Sequence, residues 1–241
     1  MPDKTNPVAL VVGAGAGLGA GLGRRFAAAN MSVALASRDE GRATQLAGQV
    51  AKTIGGTVRG YGCDATDEAD VADLFDAVSS DLGVPELVVY NAGGFLMKSV
   101  LAITPDEFET QWRVTCMGGF LVGSEAARRM LDGDKGTIIF TGATATYKGS
   151  AEFAAFAVPK FGLRALAQSM ARELGPKGLH IAIVNIDGAI NGPHHAHEIE
   201  TKGVDAFLDP DAIADTYYAL HAQHRTAWTH ELDLRPAIER W

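Results

Sequence analysis

The chain has few cysteines, no runs of like charge and no long apolar stretches. Cysteine occurs only as Cys63 and Cys116, without the spacing of metal ligands and in segments that read as interior. That excludes a disulfide framework and fits a reducing compartment. No cluster of Lys and Arg appears, and acids outnumber bases 29 to 21, for a formal net charge of −8. A polyanionic partner therefore has no electrostatic footing, and neither nucleic acid nor an anionic membrane is expected. No apolar run approaches the roughly 18 residues of a spanning helix. Residues 1–7 lack the basic flank and apolar stretch of a signal peptide, so the expectation is a soluble, cytoplasmic protein. With 241 residues, 47% of them hydrophobic, the chain can bury the core of one domain over residues 1–241.

Short β-branched runs alternate with longer helical patterns. Residues 8–12, 32–36, 57–61, 86–90, 136–141 and 179–186 read as strands. Their nearly uniform apolar character suits strands covered on both faces, which points to an α/β fold with a doubly wound parallel sheet. Thr104-Pro105-Asp106-Glu107 offers an N-cap, a proline in the first turn and a capping-box acid, and Asp209-Pro210-Asp211 repeats the device. Residues 191–209 carry His194, His195 and His197 between a strand and a capped helix, and they read as a mobile flap.

Gly13-Ala14-Gly15-Ala16-Gly17-Leu18-Gly19 follows the first strand and opens the first helical pattern. Glycines there let backbone N–H groups and a helix N-terminus approach a pyrophosphate, so the turn is expected to bind a dinucleotide. At these residues the chain resembles the short-chain dehydrogenase/reductase family, whose Gly-xxx-Gly-x-Gly turn is matched by Gly13, Gly17 and Gly19. Asp64 falls where that family holds the adenine, and Asn91-Ala92-Gly93 matches its signature after the fourth strand. The resemblance covers nearly the whole chain. It implies a Rossmann fold and a nicotinamide cofactor held by Gly13, Gly15, Gly17, Leu18, Gly19, Asp64, Asn91, Ala92, Gly93, Lys160, Gly188 and Ile190. In the family's register the residue that discriminates cofactors is Ser37, followed by Arg38, a pair suited to a 2′-phosphate and hence to NADP(H). The alternative is that Asp39, about 20 residues beyond the turn, binds the ribose hydroxyls of NAD.

The family's catalytic pattern is only partly present. Its Tyr acid and a Lys four residues on share one helix face, so the ammonium lowers the phenol's pKa. Here Lys160 is kept, but Phe156 stands at the Tyr position, Ala143 at the Ser position and Thr115 at the Asn position. A subset of the family resembles this chain in pairing Phe with the kept Lys. A substitute acid could be Tyr147 or Thr144, the competing reading for Tyr147 being a packing aromatic. The stretch Pro193-His194-His195-Ala196-His197 reads as flap lining the substrate rather than as a metal site, for which ligands are too few. No metal is expected. Two readings stay open: an oxidoreductase of a small carbonyl or alcohol with an incomplete tetrad, or a silent NADP(H)-binding sensor or partner subunit. Relatives commonly assemble through helices matching residues 104–131 and 151–175, so a homodimer or homotetramer is expected.

Overall fold

A computed structural model describes residues 6–133, 135–192 and 195–238. Five buried residues form β1 (Val8–Val12), and the glycine turn leads into α1 (Leu18–Ala28). The alternation continues through β2 (Ser32–Ser37), α2 (Glu40–Ile54), β3 (Val58–Gly62), α3 (Glu68–Asp81) and β4 (Leu87–Tyr90). It then runs through α4 (Pro105–Trp112), α5 (Gly118–Leu131), β5 (Gly136–Ala143), α6 (Ala154–Leu174) and β6 (Leu179–Ile186). The last elements are α7 (Ala196–Lys202), α8 (Pro210–His221) and β7 (Glu231–Leu234).

The strands form a seven-stranded sheet in the order β3-β2-β1-β4-β5-β6-β7, and every pair is parallel. From β1 the chain winds outward to β2 and β3, then returns to place β4 on the other side of β1. That reversal opens the crevice where doubly wound sheets bind ligands, at the carboxyl ends of the strands. On one face Phe75 of α3, Val122 of α5 and Leu163 of α6 pack against Leu10, Val88 and Ile138. On the other, Leu22 and Phe26 of α1, Val50 of α2 and Tyr217 of α8 pack against Val11, Leu35 and Val89. The near-uniform apolar runs thus serve two cores.

Both expected helix starts are present. Thr104 Oγ1 accepts from the Glu107 N–H at 3.2 Å while Glu107 Oε2 accepts from the Thr104 N–H at 2.8 Å. Asp209 Oδ1 accepts from the N–H groups of Asp211 and Ala212. Three features depart from the sequence reading. Strand β5 runs on through Gly142 and Ala143, because these pair with Asn185 and Ile186 of β6. The helical stretch after Thr104 is interrupted by a π-helical turn over Arg113–Met117. The edge strand β7 was not expected: its sequence Glu-Leu-Asp-Leu alternates acids with leucines, and it is a strand because β6 offers it a parallel partner.

Candidate active site

The ends of β1 and β4 meet backbone on backbone. Gly13 has φ +89°, and a Cβ there would lie 2.3 Å from the Ala92 nitrogen, so a side chain is excluded twice over. Asn91 Nδ2 donates to the Gly13 carbonyl at 2.9 Å and ties the two turns together. Gly19 is packed as tightly, 2.7 Å from the Ala14 Cα by the same measure, whereas Gly15 and Gly17 face open space. Gly17 is the N-cap of α1; no side chain caps it, and the first turn holds no acid. The Ala20 N–H of this 11-residue helix donates to the Gly15 and Gly17 carbonyls, and the N–H groups ahead of it are left to an anion, in a cradle that a Cβ at position 15 or 17 would begin to fill. The residues present fit a dinucleotide pyrophosphate.

Three neighbouring cavities surround this turn. One of about 260 Å³ is lined by Gly13, Ser37, Arg38, Asp64, Ala92 and Gly93. Asp64 Oδ1 accepts from the Thr66 N–H and hydroxyl at 2.9 and 2.8 Å, and these bonds hold its carboxyl below the usual range against a smaller opposing effect of burial. A second, of about 530 Å³, is lined by Gly15, Ser37, Arg38, Asp39 and Arg42. There Asp39 is engaged by its own helix: Oδ1 caps α2 by accepting from the Arg42 N–H at 3.0 Å, and Oδ2 pairs with Arg42 Nε at 3.2 Å. Ser37 Oγ donates to the Asp39 carbonyl at 2.8 Å.

The third cavity, about 430 Å³, is lined by Gly17, Leu18, Asn91, Gly93, Phe95, Phe156, Lys160, Ile190, Asn191 and His195. Lys160 is buried at 5% exposure, its Nζ donates to the Thr141 carbonyl at 2.8 Å, and burial lowers it to about 8. Phe156, one helical turn earlier, puts its ring centre 5.9 Å from Nζ. It packs edge-on against Phe95 at 5.2 Å and beside Phe153 at 6.2 Å, so this wall of the cavity is aromatic. The fully buried Tyr90 donates its hydroxyl to the Val114 carbonyl within the π turn. It reaches there because Gly118 has no Cβ, which would meet the hydroxyl at 2.3 Å. The same turn buries Thr115 and places its Oγ1 3.3 Å from the Gly94 N–H. π turns of this kind often stand at functional sites.

Not every expected site residue comes to these cavities. Thr144 and Tyr147 lie in a fourth cavity of about 560 Å³, with Arg164, Asp187, Gly188, Glu231, Asp233 and Arg235. The short 3-10 turn after β5 carries them there, and the Thr144 hydroxyl donates to the Asp187 carboxylate. The Tyr147 hydroxyl is buried beside Asp187 without a well-aligned partner, and burial together with that carboxylate pushes it up to about 12. Gly188 (φ +151°) also faces this side, packed against Leu208 and Pro236. The structure thus places Thr144, Tyr147 and Gly188 in a cavity other than the one Lys160 lines; strand β7, unseen in the sequence, builds the cavity that holds them. Ala143 remains at the end of β5, where its N–H donates to Thr146 Oγ1 at 2.8 Å. Among the cavity residues absent from the expected set are Phe95, Asn191 and His195; Asn191 and His195 had a signal, their place in the flap, and Phe95 had none. Pro193 and His194 lie outside the described residues. Among the described residues no group of three or more His, Cys, Asp or Glu could hold a metal, and no helix is long and apolar enough to cross a membrane.

Residues 7–202 match the family model for short chain dehydrogenases. The chain belongs to the short-chain dehydrogenase/reductase family. Within that family it is 33% identical over 195 residues to a short-chain dehydrogenase/reductase of Armillaria gallica, covering 79% of this chain and 73% of that one. Its fold matches the crystal structure of a short-chain dehydrogenase from Rhodopseudomonas palustris with a TM-score of 0.83 at 35% identity, over 98% of this chain and all of that one. A metagenomic short-chain oxidoreductase crystallised with NADP shares the fold at a TM-score of 0.84 and 24% identity, over 98% of this chain and all of that one. The doubly wound sheet and the crevice between β1 and β4 are those of short-chain dehydrogenases.

Proposed function

We propose that this short-chain dehydrogenase is an NADP(H)-dependent oxidoreductase of a small carbonyl or alcohol, in which Phe156 stands where its relatives carry the tyrosine acid. The observation that carries this reading is the buried Lys160 in the wall of a cavity that begins at the glycine turn. Burying a lysine in a wall of phenylalanines is costly unless its donors are used. One goes to the Thr141 carbonyl, and the others are free to orient the nicotinamide ribose. NADP(H) is favoured over NAD because Arg38 lines both cavities at the adenosine end while the Asp39 carboxylate is committed to Arg42. When bound, the dinucleotide supplies or takes up the hydride; Leu18 and Ile190 give the cavity apolar walls, and the Phe95–Phe156 pair selects an apolar substrate. The exposed Phe120 on α5 and Val158 and Phe161 on α6 support assembly into a homodimer or homotetramer through these helices. A cytoplasmic location completes the reading.

A second reading, a silent NADP(H)-binding sensor or partner subunit, draws on one observation: Phe156 and Ala143 bring no hydroxyl beside Lys160, and Thr115 is buried with its Oγ1 accepting from the Gly94 N–H. Titration with NADPH and NADH, followed by reduction of a panel of apolar aldehydes and ketones, separates the two. The oxidoreductase reading expects tighter NADPH binding and slow but measurable reduction. Tight NADPH binding with no reduction across the panel overturns it in favour of the sensor, and no binding at all overturns both.

A further inference from the structure

If hydride transfer takes place beside Lys160, the resulting alkoxide needs a proton, and Phe156 has none to give. Resting on the oxidoreductase reading, we propose that His195 is the catalytic acid and base of this site, with Glu198 as its positioning residue. His195 lines the same cavity as Lys160 and Phe156. Its Nδ1 lies 3.0 Å from Glu198 Oε1, so the carboxylate accepts the Nδ1 proton and leaves Nε2 for the cavity. The arrangement is held from several sides. The His195 N–H donates to the Gly192 carbonyl at 3.0 Å, and its ring packs on the buried Phe207 with centres 5.4 Å apart. The strand-like pairing of Ile190 with Leu208 pins the segment to the protein: the Asn191 N–H donates to the Leu208 carbonyl at 2.8 Å and the Leu208 N–H to the Ala189 carbonyl at 2.9 Å. Glu198 is kept ionised by Lys202 and His195, which hold it at about 2. The charged groups around the imidazole are Glu198, which it contacts, and Lys202, which pairs with Glu198, while Lys160 lines the same cavity.

In the reduction direction the carbonyl carbon gains the hydride supplied by the reduced dinucleotide, and the C=O π pair moves to the oxygen. That oxygen takes the Nε2 proton of the His195 imidazolium. The neutral imidazole keeps its Nδ1 proton on Glu198 and regains the other from solvent. Oxidation of the alcohol runs the same steps backwards, with Nε2 as the base.

The test uses the full-length protein and two readouts. In the first, carbethoxylation of each histidine by diethyl pyrocarbonate is mapped by peptide mass spectrometry, with and without NADP⁺ and an apolar alcohol. His195 should be labelled in the free protein and protected in the ternary mixture. His197, 93% exposed on its side chain, should be labelled in both. In the second, single-turnover reduction is followed against pH. His195→Gln should slow it by about 10²-fold and remove a limb of the pH profile while NADPH affinity stays within twofold. Glu198→Gln should lower kcat and move that limb without changing the KM for NADPH, which a merely structural loss would not do. His197→Gln should match the wild type. Labelling of His195 that the ternary mixture does not prevent, or reduction in His195→Gln at the wild-type rate and pH profile, overturns the assignment while the oxidoreductase reading stands. Absence of any reduction by wild-type protein that binds NADPH tightly overturns both.

Discussion

Two cavities draw on the residues that follow β5 and β6, and they differ in almost everything else. The one that holds Lys160 is walled by Phe95, Phe156, Leu18 and Ile190 and shares Gly17 with the glycine turn. The one that holds Tyr147 is charged: Arg235 pairs with Asp187 at 2.7 Å, Arg164 with Glu231 at 2.9 Å, and Asp233 accepts from Asn185 Nδ2 at 2.9 Å. The first has a cation and no hydroxyl acid, the second has hydroxyls and carboxylates but no part of the dinucleotide turn. Nearness in sequence to a catalytic motif therefore says little about nearness in space. Only three residues separate Ala143 from Tyr147 in the chain, yet the 3-10 turn they form directs Tyr147 towards Asp187 and β7.

The comparison can be broken by giving the first cavity what it lacks. Phe156→Tyr with Ala143→Ser, placed in a His195→Gln background, should raise carbonyl reduction by about 10²-fold, because Lys160 already stands one turn away to lower the new phenol. Adding Lys160→Ala should abolish the gain. Stopped-flow reduction of an apolar aldehyde checks both, and an unchanged rate in the restored variant would show that the Lys160 cavity is not shaped for hydride transfer.

The buried ammonium sharpens the contrast through stability. Burial lowers Lys160 from 10.5 to about 8, so between those values the unfolded chain holds a proton that the folded protein has released. The resulting penalty on folding is present in full below about pH 8 and lifts as the pH rises towards 10.5. Lys160→Met should therefore stabilise the cofactor-free protein at pH 7, by about 3 kcal/mol at most, and by progressively less towards pH 10. NADPH affinity should fall at the same time. Thermal unfolding across pH reads the first effect and fluorescence titration the second; a destabilised variant at pH 7 would mean that the bond to Thr141 outweighs the burial.

At the adenosine end, Arg38→Glu should shift the preference between NADPH and NADH by on the order of 2–3 kcal/mol, since it removes a charge-assisted bond and adds repulsion to the 2′-phosphate. Unchanged NADPH affinity would transfer the role to Asp39. The smallest effect belongs to the second cavity. Tyr147→Phe deletes a buried hydroxyl without a well-aligned partner, so reduction should stay within twofold of wild type and stability within about 1 kcal/mol. A large loss of activity would tie the two cavities together and undo the contrast.

The sequence by itself determined what local sterics and short-range chemistry demand. Gly13 and Gly19 have to be glycine because backbone passes within 2.3 and 2.7 Å of where a Cβ would stand, and such positions show in any reading of the turn. The caps at Thr104 and Asp209, the apolar strands and the position of Lys160 one turn after Phe156 were legible for the same reason: each depends on neighbours within a few residues. Tertiary structure alone decided the rest. Strand β7 exists because β6 accepts it, Tyr90 reaches Val114 of the π turn past Gly118, and Asp39 caps α2 and pairs with Arg42. Which of Tyr147 and His195 lines the Lys160 cavity was likewise decided by pairings across the fold, Thr144 with Asp187 and Ile190 with Leu208. Contacts between residues so far apart along the chain leave no local spacing by which to read them.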